Sequence, residues 1–496
     1  MTGWRFEFDP ETVEIPVGHF INGVLTKRSG ESFEVVRPSD GMVYAEAVEA
    51  DESVVDETVA TADAAFRKSN WATSPPRDRG RILRRWAALI RENDVALSRL
   101  EAIGSTRPAT EAIKTDIPAT AEAIEFFSEF CDKLGGDILA TRHDNLGMLL
   151  GEPYGVIAAI TPWNFPLSMA SWKAGAALAA GNAVVLKPSE LTPFSTLLLA
   201  QLAIEAGVPP GIFNVVLGRG ATTGQALVRH PGIRKVTFTG STATGARIMC
   251  DAANSGIKPV TLELGGKSPQ LVFDDAGDLA QVASFVARGI LMNAGQVCVA
   301  GSRLIAHRTI ADELLNRIIA EMKRVKHGVT WSPETTLPPI ISKKQLARIE
   351  SLVASSVREG ASAAFGGGRI ETNRGYFFQP TVLENLTSDN TGIKEEIFGP
   401  VLTVQTFDDV EEGITLADHQ TYGLAAGVYT KDLNKAFLAM RRIAAGTVWV
   451  NRYGRSMDFI IPTGGYKASG IGKDLGRQAV EYNLRYKSVL MAFEET

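Results

Sequence analysis

The rhythm of hydrophobic positions changes along the chain. In SPPRDRGRILRRWAALIRENDVALSRLEAI, residues Ile82, Leu83, Trp86, Leu89, Ile90, Leu97 and Leu100 recur with a period of about 3.6, which predicts a helix opened by Ser-Pro-Pro. ATEAIKTDIPATAEAIEFFSEFCDKLGG predicts a second helix stopped by Gly135-Gly136, with Cys131 inside it beside Phe127 and Phe130 and therefore in the core. The first part of the chain thus reads as helical.

The texture then shifts. YGVIAAITPW, NAVVLKPSE, IFNVVLG, KVTFTGS and PVTLELGGKSP are short apolar runs ending in small, polar or Gly/Pro residues, and helical stretches such as TPFSTLLLAQLAIEAG separate most of them. That alternation predicts βαβ units, a parallel sheet and an α/β fold. Ligands of such sheets bind at the carboxyl ends of strands. This directs attention to Asn164, Lys187, Ser189, Glu190, Ser241 and Glu263. A second α/β region begins near Gly265 and holds PQLVFDD, SRLIAHR, FQPTVLENL, VLTVQTFDD and AGTVWVN. ILATRHDNLGMLLGEPYG predicts a hairpin or strand pair, and LRYKSVLMAF alternates like a pairing strand. Extended pieces that leave the body usually join another subunit, so a homo-oligomer is expected.

Composition narrows the chemistry. A chain of 496 residues suggests two to four structural units of roughly 150 residues. A hydrophobic fraction of 45% supplies a large core without help from disulfides or metals. The net charge of -5 shows no basic excess, which argues against nucleic-acid partners. The N-terminal stretch lacks a positive start followed by an apolar run, and no apolar run approaches the roughly 18 residues of a membrane helix. No membrane association and a cytoplasmic location are therefore expected. Cys131, Cys250 and Cys298 are odd in number and far apart, which argues against a disulfide framework. With 6 His in the chain and no short Cys/His spacing, no metal site is expected. Within NAGQVCVAGSR, Cys298 is left as a packing residue or a nucleophile.

Several segments carry candidate chemistry, each with a plainer reading beside it. In VVLKPSE, Glu190 could accept both hydroxyls of an adenine ribose and repel a 2′-phosphate, or the segment could be a turn capped by Ser189 or Thr192. LGRGATTGQAL spaces Gly218, Gly220 and Gly224 as GxGxxxG, weak evidence for a nucleotide loop. In FTGSTATG, Gly240-Ser241 could meet a pyrophosphate at a helix start or simply cap a βα turn. Pro162 and Pro166 stiffen the flanks of Asn164, whose amide would suit an oxyanion hole. Phe165, Met169 and Trp172 share one helical face that lines either a tunnel or the core. In TLELGGKSP, Glu263 beside apolar residues could hold a raised pKa and act as a general base, or be a surface carboxylate.

Taken together, TPWNFP, LKPSE, FTGST, LELGGKSP, GQVCVAGSR, EEIFGPV, YGLAAGVYT and GGYKASGIG, in this order, resemble the NAD(P)-dependent aldehyde dehydrogenase superfamily from about residue 20 to residue 490. The resemblance implies a Rossmann-like cofactor domain (1–134 and 154–264, returning at 469–481), an α/β catalytic domain (265–468) and a small β oligomerisation arm (135–153 and 482–496), in a homodimer or homotetramer. It implies Cys298 as nucleophile, Glu263 as base for deacylation, Asn164 with the Cys298 N–H as oxyanion hole, and Lys173 in proton relay. For the cofactor it implies Thr161, Trp163, Lys187, Ser189, Glu190, Gly220, Gly224, Gly240, Ser241, Leu264, Glu396 and Phe398. Glu190 favours NAD over NADP, although Arg219 in the glycine-rich loop offers a charge to a phosphate. The resemblance implies a small-molecule aldehyde as substrate, oxidised to its acid, with Phe165, Met169, Trp172, Met292, Val297, Val299, Arg455, Phe459 and Thr463 as candidate wall residues. Thr463 departs from the family's PFGG pattern, and Arg452 and Arg455 precede it in a loop where an arginine would suit a carboxylate-bearing aldehyde or simply point into solvent. The alternatives are a coenzyme A-acylating relative, a cysteine hydrolase without redox chemistry, and a non-catalytic family member. Glu263, the separate cofactor motifs and the joint presence of Cys298, Glu263 and Asn164 weigh against these in turn.

Overall fold

The computed structural model describes residues 7–372, 374–456 and 458–493, so residues 1–6 and 494–496 of the expected first domain and arm lie outside the described residues. Two large sheets dominate. The first runs in the order Val24–Thr26, His19–Ile21, Phe213–Val215, Ala183–Lys187, Val156–Ile160, Ile233–Thr239, Val260–Glu263, Gly470–Ile471. Its five middle strands are parallel, and both flanks are antiparallel. Strand order reverses between Val156–Ile160 and Ile233–Thr239, so the crevice at their carboxyl ends is the switch point where doubly wound sheets hold ligands. The second sheet runs Ser362–Phe365, Thr381–Glu384, Val401–Phe407, Arg303–His307, Pro269–Val272, Ala425–Tyr429, Thr447–Val450.

The two sheets are joined by a short crossing. Strand Val260–Glu263 ends at the carboxyl edge of the first sheet, and Pro269–Val272 begins at the amino edge of the second. Glu263 and the glycines after it therefore lie at the seam.

The helical prediction for residues 74–103 resolves into two helices, Pro76–Glu92 and Asp94–Gly104, broken at Asn93, whose side-chain amide donates to the Leu89 carbonyl at 2.8 Å. The next helical stretch runs from Ala109 to Ser128, through a wider π turn at Ala112–Asp116. It stops before Gly135-Gly136, because turns at Glu129 and Phe130 already close on the carbonyls of Phe126 and Phe127. Cys131 thus lies past the helix, although it is buried as predicted. The first part of the chain is not purely helical: His19–Ile21, Val24–Thr26, Ser32–Val36 and Val43–Val48 are strands. The first pair turns through Asn22-Gly23, both at positive φ (54° and 80°), the backbone a tight hairpin needs.

Helix Pro166–Ala179 is buried along its whole length. Small residues permit this, since a Cβ at Gly175 would stand 2.8 Å from Ile124 of the neighbouring helix. The strands Asp137–Leu139, Asn145–Pro153 and Leu484–Ala492 form a separate antiparallel sheet, with Ile138 and Leu490 exposed. No helix among the described residues is long and apolar enough to cross a membrane.

Trp86 anchors the first core. It is fully buried, donates its indole N–H to the Leu199 carbonyl at 3.0 Å and packs on Phe213 at 5.6 Å. Trp86→Ala should therefore cost about 3–5 kcal/mol. Trp86→Phe should cost less, losing one hydrogen bond and part of the volume. Thermal unfolding followed by circular dichroism checks the ranking.

Candidate active site

Cys298 follows a backbone turn that few residues tolerate. Asn293, Ala294 and Gly295 all have left-handed φ values of 51°, 52° and 72°. At the two non-glycine positions this costs roughly 1–2 kcal/mol each. A Cβ at Gly295 would collide with the Gly399 carbonyl. Buried amides hold the turn. Thr106 Oγ1 donates to Asn293 Oδ1 at 2.7 Å, and Asn293 Nδ2 donates to the Asn164 carbonyl at 3.1 Å. Gln296 Nε2 donates to the carbonyls of Asn293 and Pro339 at 2.9 and 3.0 Å, while Gln296 Oε1 accepts from the Ile341 N–H at 2.9 Å. Asn164 completes the lock: its Nδ2 donates to the Gln296 carbonyl at 3.0 Å, two residues before the thiol. Only one of its two N–H donors is used there, so the amide stands beside the thiol turn with a donor to spare.

The seam supplies the second wall. A Cβ at Gly265 would overlap the Glu396 carboxylate, and one at Gly266 would stand 2.6 Å from the Cys298 carbonyl oxygen. Glu396 accepts from the Gly266 N–H at 2.9 Å. Burial pushes its carboxyl up to about 7, against the pull of that N–H and of Lys267. Phe398, itself at φ 57°, meets the Trp163 ring edge-on at 5.3 Å.

Glu263 is buried, and its Oε1 has no hydrogen-bond partner among the described residues. Burial raises its pKa to about 8, the charge of Asp474 raises it too, and Lys173, Arg455 and Lys473 oppose the shift. Lys173 lies fully buried between Asp474 Oδ2 at 2.9 Å and Thr237 Oγ1 at 3.1 Å. The Cys298 thiol is pushed up by burial, then lowered by Arg455, and raised again by Glu263 and Glu396.

The remaining wall is aromatic and cationic. Trp172 meets Phe459 at 6.4 Å, and the Arg455 guanidinium lies 5.3 Å from the Trp172 ring centre. Arg455 Nη2 donates to Thr463 Oγ1 at 2.8 Å. Arg452 is exposed and turns back to the Gly454 carbonyl. Met169 is buried in the first core, and Phe165 packs against both large cores. Val297 and Val299 are buried in the core of the second sheet, whereas Met292 is 38% exposed.

Several proposed cofactor residues converge at the switch point. The Thr161 N–H donates to the Lys187 carbonyl at 3.1 Å, tying two strand ends together. Lys187 Nζ donates to the Pro188 carbonyl at 2.9 Å and reaches Glu190 at 3.4 Å. Gly224 lies against the Lys187 stem, and Gly220 opens the same turn in the open. Gly240 donates to the Glu263 carbonyl at 3.0 Å, and Leu264 donates to the Ser469 carbonyl at 3.0 Å. Ser241 caps helix Thr242–Asn254 and Ser189 accepts from the Leu191 N–H, so both also do the plainer local work. Arg219 is engaged by Glu31 and Glu49, each at 2.7 Å. Sequence reasoning missed Asp474, Asn293 and Gln296. The amide pair at three-residue spacing around Gly295 was the available signal for two of them, and Asp474 had none.

The model of the aldehyde dehydrogenase family matches residues 25–489. Cytosolic 10-formyltetrahydrofolate dehydrogenase of Xenopus tropicalis is 38% identical over 98% of this chain and 54% of its own length, so the chain spans about half of that relative. The putative aldehyde dehydrogenase DhaS of Bacillus subtilis (strain 168) is 40% identical, with 96% of each chain covered. The NAD+ complex of an aldehyde dehydrogenase from Bacillus cereus superposes with a TM-score of 0.95 at 40% identity, covering 99% of this chain and 100% of that one.

The charges around the thiol set its reactivity in a definite direction. Removing the Glu263 charge in Glu263→Gln should shift the pH dependence of Cys298 alkylation by iodoacetamide downward. Removing the Arg455 charge in Arg455→Met should shift it upward. Peptide mass mapping across a pH series reads both, with buried Cys131 as the unreactive internal control.

Proposed function

Since this chain belongs to the aldehyde dehydrogenase family, we propose that it oxidises a small aldehyde to the carboxylic acid with NAD, using Cys298 as nucleophile and Glu263 as base. The observation that carries this is the meeting, at one seam, of a strained thiol turn, a buried carboxylate with an unpartnered oxygen, and a fixed amide. The switch-point residues fit a dinucleotide. Thr161 and Thr239 carry buried hydroxyls without a partner among the described residues, and half-buried Glu190 offers an acceptor to ribose hydroxyls. Lys187, Glu190 and Ser241 would hold the adenosine and pyrophosphate side, and Glu396 and Phe398 the nicotinamide side. Pairing of Arg219 with two carboxylates leaves it poorly placed for a 2′-phosphate, which supports NAD over NADP. NAD, when bound, supplies the acceptor for the hydride.

The protein's own part follows from the geometry. The thiolate is the attacking form, so the positive charge of Arg455 and the backbone N–H groups of the turn favour attack on the carbonyl carbon. The Asn164 amide and the Cys298 N–H stabilise the resulting alkoxide without reorganising, because the lock around Gln296 already holds them. Once the hydride has left, a thioester remains on Cys298. Glu263 takes a proton from water, which attacks the thioester and releases the acid. Lys173, held by Asp474, is placed to steady the charge of Glu263 during that transfer. Exposed Ile138 and Leu490 on the small three-stranded sheet support assembly as a homodimer or homotetramer through that arm.

Cys298→Ala should abolish NADH formation with every aldehyde while leaving the fold intact. Glu263→Gln should still give a first-turnover burst of NADH but slow steady turnover at least about 100-fold. Because Glu263 acts deprotonated and its pKa is raised, steady turnover of the wild type should climb as pH rises through about 8. The Glu263→Gln variant should lack that limb. Stopped-flow absorbance across a pH series tests all three, and a Glu263 variant with wild-type turnover would remove the base from this reading.

A further inference from the structure

Arg455 takes no bond-making part in the reaction above, yet it is built into the site. Thr463 holds its Nη2 at 2.8 Å, and the Trp172 face backs its guanidinium at 5.3 Å. Thr463 is itself clamped. Its N–H donates to the Asp474 carbonyl at 2.7 Å, and its carbonyl accepts from the Asp474 N–H at 2.9 Å. The residue that steadies Lys173 therefore also fixes the arginine. Arg455, Phe459 and Thr463 line one cavity with Trp449 and Leu475. The Tyr453 hydroxyl ties this loop to the Val299 carbonyl at 2.8 Å, next to the thiol, and Gly464 beside Thr463 lies against Glu263, so the charge of Arg455 bears on both Cys298 and Glu263.

Arg455 has, among the described residues, neither a close counter-charge nor a set of backbone carbonyls to hold its guanidinium. Among the described residues, no carboxylate lies within 4.0 Å of it. The acid of its own loop, Asp458, is exposed and accepts from the Ser456 hydroxyl at 2.7 Å. Among the buried arginines, Arg107 is answered by Asp116 at 2.6 Å, and Arg303 spends its donors on the carbonyls of Lys267, Leu416 and Ala417. A guanidinium presents five donors in a planar fork. Thr463 uses one arm, another reaches toward the Cys298 thiol, and the remaining donors are available for a planar anion. A bulky aromatic at position 463 would remove both the hydroxyl that orients the fork and the space beside it.

We propose that Arg455 is the specificity-determining residue of the site and receives the carboxylate of a short ω-oxo acid, so that the enzyme prefers such aldehydes to neutral ones of equal length. The chain must be short because one guanidinium lies close to the thiol that takes the other end. This assignment rests on the Cys298-centred oxidation proposed above.

Initial rates with 4-oxobutanoate and butanal, which have the same number of carbons, test it at saturating NAD in the wild type, Arg455→Lys and Arg455→Met. Any effect of Arg455 on thiol ionisation acts on both substrates and cancels in the ratio of their kcat/KM values. The wild type should favour 4-oxobutanoate. Arg455→Met should lower the ratio by about 30-fold or more, chiefly through KM, and Arg455→Lys should retain part of it. A wild type that favours butanal, or a ratio unchanged in Arg455→Met, overturns the assignment. A second measurement needs no variant: propanoate should protect wild-type Cys298 from iodoacetamide, and propanol should not. Equal protection by both, or by neither, overturns the assignment even if the variants fail to fold. If no NADH forms with either aldehyde, the oxidation reading falls, and the protection experiment still decides whether Arg455 receives a carboxylate.

Discussion

The chain crosses from its first sheet to its second through Gly265 and Gly266, where any side chain would displace either the Glu396 carboxylate or the Cys298 carbonyl. That steric constraint organises the rest. It lets Glu396 come from the second sheet region to bond the Gly266 N–H. It also lets the thiol turn press against the end of the strand that carries Glu263. With a methyl group at either position the two α/β regions would stand further apart, and the thiol and the carboxylates of Glu263 and Glu396 would no longer share one seam.

Charge burial is the second theme, and it follows from the first. Closing the seam removes water from Glu263, Glu396, Lys173 and Cys298, and isolated charges in such a place are costly. The molecule answers in different ways. Lys173 is paired with Asp474 and bonded to Thr237. Glu263 and Glu396 respond by a raised pKa, which brings them into the range where a proton can be taken up and released near neutral pH. Arg455 is oriented by Thr463 and Trp172 and moderates the thiol that burial pushes up. The strained backbone of the thiol turn is held in place by the amide lock of Asn164, Asn293 and Gln296.

Much of this was legible along the chain. Alternating apolar runs announced the parallel strands, and the motif order pointed to the family, because both are local patterns read over many residues. The opening strands were less visible. They are only three to six residues long, and all but the three-residue His19–Ile21 have mixed burial patterns. Yet the Asn22-Gly23 turn was a hairpin signal already present in the sequence. The first long predicted helix is interrupted within its length at Asn93, whose side-chain amide bonds back to the Leu89 carbonyl, and the second stops before its predicted glycines. Asp474 could not have been found by pattern. It lies 301 positions from Lys173, and only folding brings the two together.

Local chemistry therefore determined the kinds of element and the roster of reactive groups: a cysteine among small residues, a carboxylate at a strand end, an amide between prolines, and a pair of glycines after that carboxylate. Those follow from residue type and short spacing, which act within a few residues of backbone. The tertiary structure decided which of two loop arginines turns inward, who holds it, and in which direction burial moves each proton. Arg452 and Arg455 are three residues apart and chemically identical. The fold turns one into solvent and seats the other against Trp172 and Thr463, because orientation and desolvation depend on the whole packed surroundings and not on the neighbours in sequence.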